Sequence, residues 1–188
     1  AGSRCGLFAC DLSDGDGVLR LIGRVTDSFS DLSILVNNAS IFERAPLLDT
    51  EPELFDRHFD INYRAPFFLT RDFARHCDQG LVINLVDTKI SRNAGAYFAY
   101  TLTKKSLFEF TEMAAAQLGP DIRVNAVAPG LVLPPAGEDE SYLAERAKSI
   151  PLQRHGDPMA VCNAIAYLVD NRFITGQCIY VDGGEHLL

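Results

Sequence analysis

The chain has 188 residues, 47% of them hydrophobic and 22% charged, and a net charge of −8 at pH 7. This is one domain of ordinary globular composition; the acidic balance argues against nucleic-acid binding, and no apolar run approaches the roughly 20 residues that a membrane-spanning helix needs. The five cysteines, Cys5, Cys10, Cys77, Cys162 and Cys178, are odd in number and lack any CxxC spacing. Neither a disulfide framework nor a metal site is expected, and a reducing cytoplasm fits. No signal-peptide pattern opens the chain.

Residues 1–10 read as the end of a helix or loop followed by a short strand, Gly6-Leu7-Phe8-Ala9-Cys10, closed by Asp11-Leu12-Ser13-Asp14. Asp11 at such a place is a turn former or helix cap by default. A helix is predicted over 17–29, with Val18, Leu21, Ile22, Val25 and Phe29 on one face. Ser33-Ile34-Leu35-Val36 reads as a buried parallel strand. Asn37-Asn38-Ala39-Ser40 follows at its carboxyl end, where ligands sit in open α/β sheets, and Ala39 and Ser40 are small enough for backbone to approach a ligand. Residues 51–76 are predicted helical, with Leu54, Phe55, Phe59, Phe67, Phe68, Leu69 and Phe73 as the apolar face. Pro66 lacks the amide proton that a helix interior uses, so a kink or break is expected near Arg64-Ala65, just after Asn62. A disrupted hydrogen-bond ladder there would free a carbonyl for water.

The central stretch runs from Leu81 to Leu118. It begins as an apolar strand, Leu81–Val86, and ends as a helix with Leu107, Phe108, Phe110, Met113, Ala114 and Leu118 apolar. Between them lie three groups that can move protons: Asp87, Tyr100 and Lys104. Tyr100 and Lys104 are one turn apart on one helix face. A lysine held near a phenol favours the phenolate and is expected to lower the Tyr100 pKa toward working pH, which suits a general acid or base for a carbonyl or imine. Ile122–Val127 is the next strand, ended by Ala128-Pro129-Gly130-Leu131-Val132. Residues 133–155, rich in proline and acidic side chains, read as a mobile lid with a short helix near 141–148. Asp157-Pro158 opens a helix over Ala160–Asp170, Ile174–Asp182 is the last strand, and Gly183-Gly184-Glu185-His186 forms the tail. Strands alternating with helices imply a doubly wound parallel sheet in a three-layer α/β/α sandwich, one Rossmann-like domain over 1–188.

Several motifs carry a resemblance. Asn37-Asn38-Ala39-Ser40 after a strand, Asn62 in a helix, Tyr100-x-x-x-Lys104, Arg123-Val124-Asn125-Ala126-Val127-Ala128-Pro129-Gly130, Ile174-Thr175-Gly176 and Val181-Asp182-Gly183-Gly184 together resemble the short-chain dehydrogenase/reductase family along most of the chain. That family usually has Ser where Asp87 stands. Asp87, with Tyr97 three residues before Tyr100, resembles its pteridine reductase branch and the bacterial dihydromonapterin and dihydrofolate reductases.

The resemblance implies a role for each matching position. Tyr100, Lys104, Asp87 and Asn62 become catalytic, Lys104 also holding the nicotinamide ribose and Asn62 maintaining a water-mediated proton relay behind it. Asp11 would accept from the adenine amino group while Leu12 packs on the ring. Asn38, Ala39, Ser40, Tyr100, Lys104, Pro129, Gly130 and Leu131 would line the rest of the cofactor, NADPH by preference with NAD possible. Asp87, Tyr97 and Tyr100 would meet the substrate, and Phe42 and Tyr97 could pack against a flat ring. A proton-carrying Asp87 would need a raised pKa, which burial supplies and Lys104 opposes. The implied activity is hydride transfer to a C=N bond of a pterin or folate in a homodimer or homotetramer whose tail packs on a partner copy. A general carbonyl or alcohol dehydrogenase of the 3-oxoacyl or sugar type, and a non-catalytic oligomeric scaffold, are the alternatives. The chain has no G-x-x-x-G-x-G after a strand, and it opens where the family has its third strand. The first two strands, the glycine-rich phosphate turn and the residue that chooses NAD or NADP are missing, so a preceding portion of the protein is expected; otherwise the sheet would carry an open edge.

Overall fold

In the computed structural model, residues 4–93, 95–135 and 137–188 are described. Helix α1 spans Gly15–Thr26, and its N-cap Asp14 accepts a hydrogen bond from the Asp16 amide. Strand β1 is Ile34–Asn37, and α2 is Pro52–Phe59 with proline in its first turn. A π-helical turn, Asp60–Arg64, joins α2 to α3, Ala65–His76. Strand β2 is Gly80–Leu85, α4 is Phe98–Leu118, and β3 is Ile122–Pro129. Helices α5, Glu140–Ala147, and α6, Pro158–Asp170, precede β4, Cys178–Val181.

The four strands are all parallel in the order β1-β2-β3-β4. Alternation along β2 explains the layers, because successive side chains point to opposite faces. Leu81, Ile83 and Leu85 face one way and pack with Val127 and with Leu168 of α6. Val82 faces the other way, with Val124, Val18 and Ile22 of α1, Ala65, Leu69 and Phe73 of α3, and Ala114 and Ala115 of α4. Both faces are covered, so the inner strands read as continuous apolar runs rather than alternating ones. The result is the expected Rossmann-like α/β/α sandwich.

Four expectations change. Gly6–Cys10 forms no strand, because among the described residues no strand lies beside it to share a ladder; Arg24 of α1 holds it instead, donating to the Ala9 carbonyl at 3.2 Å and lying over the Phe8 ring. Strand β1 pairs with β2 alone among the described residues, and Ile34 and Val36 stay 41% and 38% exposed rather than buried. The chain does not break before Pro66: the wide π turn lets the ring sit in the first turn of α3, where a missing amide proton costs nothing. The last strand is half its expected length. Residues 174–177 are irregular: the Ile174 carbonyl accepts from the Arg123 and Asn125 side chains at 2.9 and 3.0 Å, Gly176 adopts a φ of 69°, and of their backbone groups only the Gly176 amide and the Gln177 carbonyl still bond to β3 backbone, both at 2.8 Å. Residues 133–155 contain α5 where a short helix was expected; there Leu143, Ala147 and Ile150 are buried, and the Leu152 amide donates to the Gly183 carbonyl at 3.1 Å. Ala136, inside that expected lid, lies outside the described residues.

Candidate active site

Parallel strands all point their carboxyl ends to one side, so the residues that follow β1, β2 and β3 gather there. Asp87 comes from the end of β2 and Tyr100 from the first turn of α4. The Tyr100 hydroxyl donates to Asp87 Oδ2 at 2.6 Å. Asp87 also caps a short 3-10 turn, Thr88–Ser91, accepting from the Lys89 amide at 2.8 Å on Oδ1, with the Lys89 ammonium 3.5 Å from the same oxygen. Each of these contacts brings a donor to Asp87, an arrangement a carboxylate satisfies.

Lys104 lies one turn beyond Tyr100 on the buried side of α4, 3% exposed. Its ammonium donates to the Leu85 carbonyl at 2.7 Å and sits 5.7 Å from the centre of the Tyr100 ring. Burial lowers its pKa to about 8, against the pull of the Asp87 charge. The phenol behaves opposite to the sequence expectation. Burial and then the Asp87 carboxylate, by charge and by hydrogen bond, hold the Tyr100 pKa well above its usual value. The physical reason is distance and burial: the carboxylate touches the hydroxyl, while the ammonium is engaged by a backbone carbonyl.

Asn62 is fully buried in the π turn. Its side-chain oxygen accepts from the Ile41 amide at 2.8 Å and the Ser40 hydroxyl at 3.2 Å, and its nitrogen donates to the Ile41 carbonyl at 2.9 Å. A weaker bond at 3.4 Å reaches Thr103, the residue before Lys104. Asn62 therefore clips the loop after β1 onto α4. Asn37 works below it: its amide donates to Asn84 at 2.8 Å, and Asn84 donates to Thr111 of α4 at 2.9 Å. These bonds leave Asn38, Ala39 and Ser40 exposed at the carboxyl end of β1.

Phe42 and Tyr97 stack 4.2 Å apart at 9°, and Phe42 meets Tyr100 edge-on at 4.7 Å. Pro129, Gly130 and Leu131 follow at the end of β3, where the Gly130 amide donates to the Val181 carbonyl at 3.1 Å. Asp11 stands apart from this group as an exposed carboxylate that accepts from the amide and hydroxyl of Ser13 at 2.9 and 2.8 Å; these bonds lower its pKa. Leu12 is half-buried and packs against the core beside α1.

The sequence reading passed over two site residues. Lys89 lies 3.5 Å from Asp87 and 5.3 Å from the centre of the Phe42 ring. Its signal was its place two residues after Asp87. His58 is fully buried one turn before Asn62, with Nδ1 2.9 Å from the Leu54 carbonyl and Nε2 accepting from the Glu43 amide at 3.4 Å. It braces the loop that carries Phe42, a role that spacing could suggest but not establish.

Comparison with known proteins places this arrangement. A family profile described as enoyl-(acyl carrier protein) reductase matches residues 1–186. The chain is 30% identical to glucose and ribitol dehydrogenase of Daucus carota over 185 residues, which is 94% of this chain and 64% of that protein. It is 33% identical over 194 residues to an uncharacterized oxidoreductase of Mycobacterium tuberculosis, covering 98% of this chain and 74% of that one. Among solved structures it resembles alternative dihydrofolate reductase 1 of Brucella suis in complex with NADP, with a TM-score of 0.90 and 34% identity over 95% of this chain and 73% of that one. It also resembles Thermoplasma acidophilum aldohexose dehydrogenase in ligand-free form, with a TM-score of 0.89 and 26% identity over 96% of this chain and 78% of that one. The chain thus spans about two thirds of the length of the carrot protein. With the tyrosine and lysine converging at the strand ends of a parallel sheet, and with the profile matched over almost the whole sequence, the chain belongs to the short-chain dehydrogenase/reductase family.

Proposed function

We propose that the protein is an NADP-dependent oxidoreductase that reduces a C=N bond of a pterin- or folate-type heterocycle. The observation that carries this reading is the 2.6 Å hydrogen bond from Tyr100 to Asp87. A serine at position 87 could orient a carbonyl but holds no readily exchanged proton; a carboxyl group can exchange one with water and bond a basic heterocycle. The similarity to the Brucella suis dihydrofolate reductase supports the choice.

The nicotinamide half of the cofactor fits these residues. A lysine ammonium has three donors, and Lys104 uses one on Leu85, which leaves two for ribose hydroxyls. The Asn38–Ser40 backbone is open beside it, with Pro129, Gly130 and Leu131 across the sheet end. Asp11 and Leu12 are suited to the adenine end. The bound dinucleotide supplies the hydride. Tyr100, a neutral phenol with its pKa raised, gives a proton to the substrate nitrogen. The Asp87 carboxylate takes a proton from water and passes it along their shared bond to the phenolate, and Lys104 offsets the charge on the phenolate until that proton arrives. Asn62 keeps the loop and α4 aligned with water access to Lys104. Phe42 and Tyr97 are stacked on each other at 4.2 Å, so a flat heterocycle would lie on an outer face of the pair, with the 133–155 segment suited to covering it. Exposed Phe67, Leu102 and Met113 on α3 and α4, and Phe173, favour a homodimer or homotetramer.

The names of the carrot and Thermoplasma proteins favour a second reading, a sugar or polyol dehydrogenase. Two measurements separate these readings. Titration of the chain with NADPH and NADH, followed by nicotinamide fluorescence, reports cofactor choice. Turnover of dihydropterin by Asp87→Ala is expected to fall by at least ~10²-fold; full turnover by that variant would remove the pterin argument.

A further inference from the structure

The segment after β4 is tied to the loop that carries Asp87. Gly183 and Gly184 both adopt positive φ, 62° and 86°, which side-chain-bearing residues rarely do. Those two residues turn the chain back on Asp182. The Gly184 amide then reaches Asp182 Oδ1 at 3.0 Å, and the His186 amide and Nδ1 both reach Oδ2 at 2.8 Å. A fourth donor comes from across the site: the Thr88 hydroxyl bonds Asp182 Oδ2 at 2.6 Å. The Asp182 side chain is 2% exposed and Thr88 is 1% exposed. Burial works against the Asp182 charge, but these hydrogen bonds outweigh it and lower its pKa. A second tie runs beside the first, since the Arg92 guanidinium donates to the Glu185 carbonyl and faces its carboxylate at 3.8 Å. The end of β3 closes against the same point, where a Cβ on Gly130 would lie 2.6 Å from the Asp182 Cβ.

Thr88 opens the 3-10 turn that Asp87 caps. The cap occupies Asp87 Oδ1 and leaves Oδ2 for Tyr100. Any slide of Thr88 moves the cap, and with it the oxygen that meets the phenol. We propose that Asp182 is a positioning residue: through Thr88 it locks the strand-end turn so that Asp87 keeps Oδ2 on the Tyr100 hydroxyl. This rests on the reading of Tyr100 and Asp87 as the proton-delivering pair.

The test is a tyrosine ring-carbon NMR titration of the chain, with Tyr100→Phe to assign the signal, alongside kcat and KM for dihydropterin reduction. In Thr88→Val the carboxylate drifts from the phenol, so Tyr100 ionises at a lower pH than in the unaltered chain. Its kcat falls about 10- to 100-fold with KM little changed, and Thr88→Ser restores both. His186→Ala, which removes one partly exposed donor from Asp182, shifts both in the same direction by less. An unaltered titration and kcat in Thr88→Val overturn the proposal, as does a loss that Thr88→Ser leaves in place. Should Thr88→Val fail to fold, an unaltered titration in His186→Ala overturns it. A shifted titration in a chain that binds NADPH yet does not turn over dihydropterin sinks the substrate reading and leaves the positioning role standing; dihydropterin turnover with an unshifted titration does the reverse.

Discussion

Lys104 carries its charge into a place that does not welcome it. Its pKa near 8 means that the folded state gives up the ammonium proton well before an unfolded chain, with its lysine at 10.5, would. Below about pH 8 the buried charge costs stability. Between about 8 and 10.5 the unfolded state binds more protons than the folded one, so this group raises stability as pH rises, by about 3 kcal/mol at most. Tyr100 has the opposite sense: its folded pKa is raised, so the stability it contributes below pH 10 is lost as pH climbs through the folded value. Activity should therefore decline above about pH 8 while the fold holds. A pH–rate profile run beside circular dichroism checks this, and an alkaline limb near 10.5 would mean that burial does not govern Lys104. The Asp87 carboxylate beside the phenol makes a second expectation. In Asp87→Ser the Tyr100 phenolate should form at lower pH, because burial still raises its pKa but the charge and hydrogen bond of the carboxylate are gone; a tyrosine titration reads this directly.

At the scale of elements, the α2–π–α3 run is what brings Asn62 inward. A π turn inserts an extra residue into the helical spiral and so changes which side chains face the sheet. Removing the Asn62 amide leaves the Ile41 amide and carbonyl without their partners, and Asn62→Ala should lower stability by about 1–3 kcal/mol in urea denaturation. Cofactor affinity should weaken with it, as the Asn38–Ser40 segment loosens. Phe73 on α3 is the anchor of the larger core cluster and is fully buried. Phe73→Ala should cost about 3–5 kcal/mol, measured the same way, with no change in the Tyr100 titration because the ring lies at the other end of the helix from the site. Pro66 announced an irregularity in the sequence. It could not say that the chain would widen rather than break, since that depends on the sheet and α4 holding both halves of the helix in line.

At the scale of the molecule, both faces of the sheet are covered, and among the described residues β1 has a neighbour on one side alone. Ile34 and Val36 are half-exposed on a strand with one unpaired edge among the described residues, a template for pairing with another chain. Val36→Lys should reduce self-association of the chain, measured by light scattering against concentration, with little change in its denaturation midpoint; equal scattering would show that this edge is already protected. The tail shows a second long-range feature. It was expected to serve a partner copy, and within the chain it ties β4, the end of β3 and the Asp87 turn together.

The sheet architecture and the helix that bears Tyr100 and Lys104 were legible in the sequence, because hydrophobic periodicity and local motifs are properties of neighbouring residues; the candidate set came from the resemblance those motifs carry. The direction of the Tyr100 shift was not legible. It depends on which of two charges lies closer to the hydroxyl, Asp87 in contact or Lys104 turned to Leu85, and on how much water reaches them. The roles of Thr88 and Asp182 were equally invisible, while those of Lys89 and His58 were at most suggested by spacing. Thr88 and Asp182 stand 94 residues apart along the chain, and only the packing of β4 beside β3 brings the hydroxyl to the carboxylate.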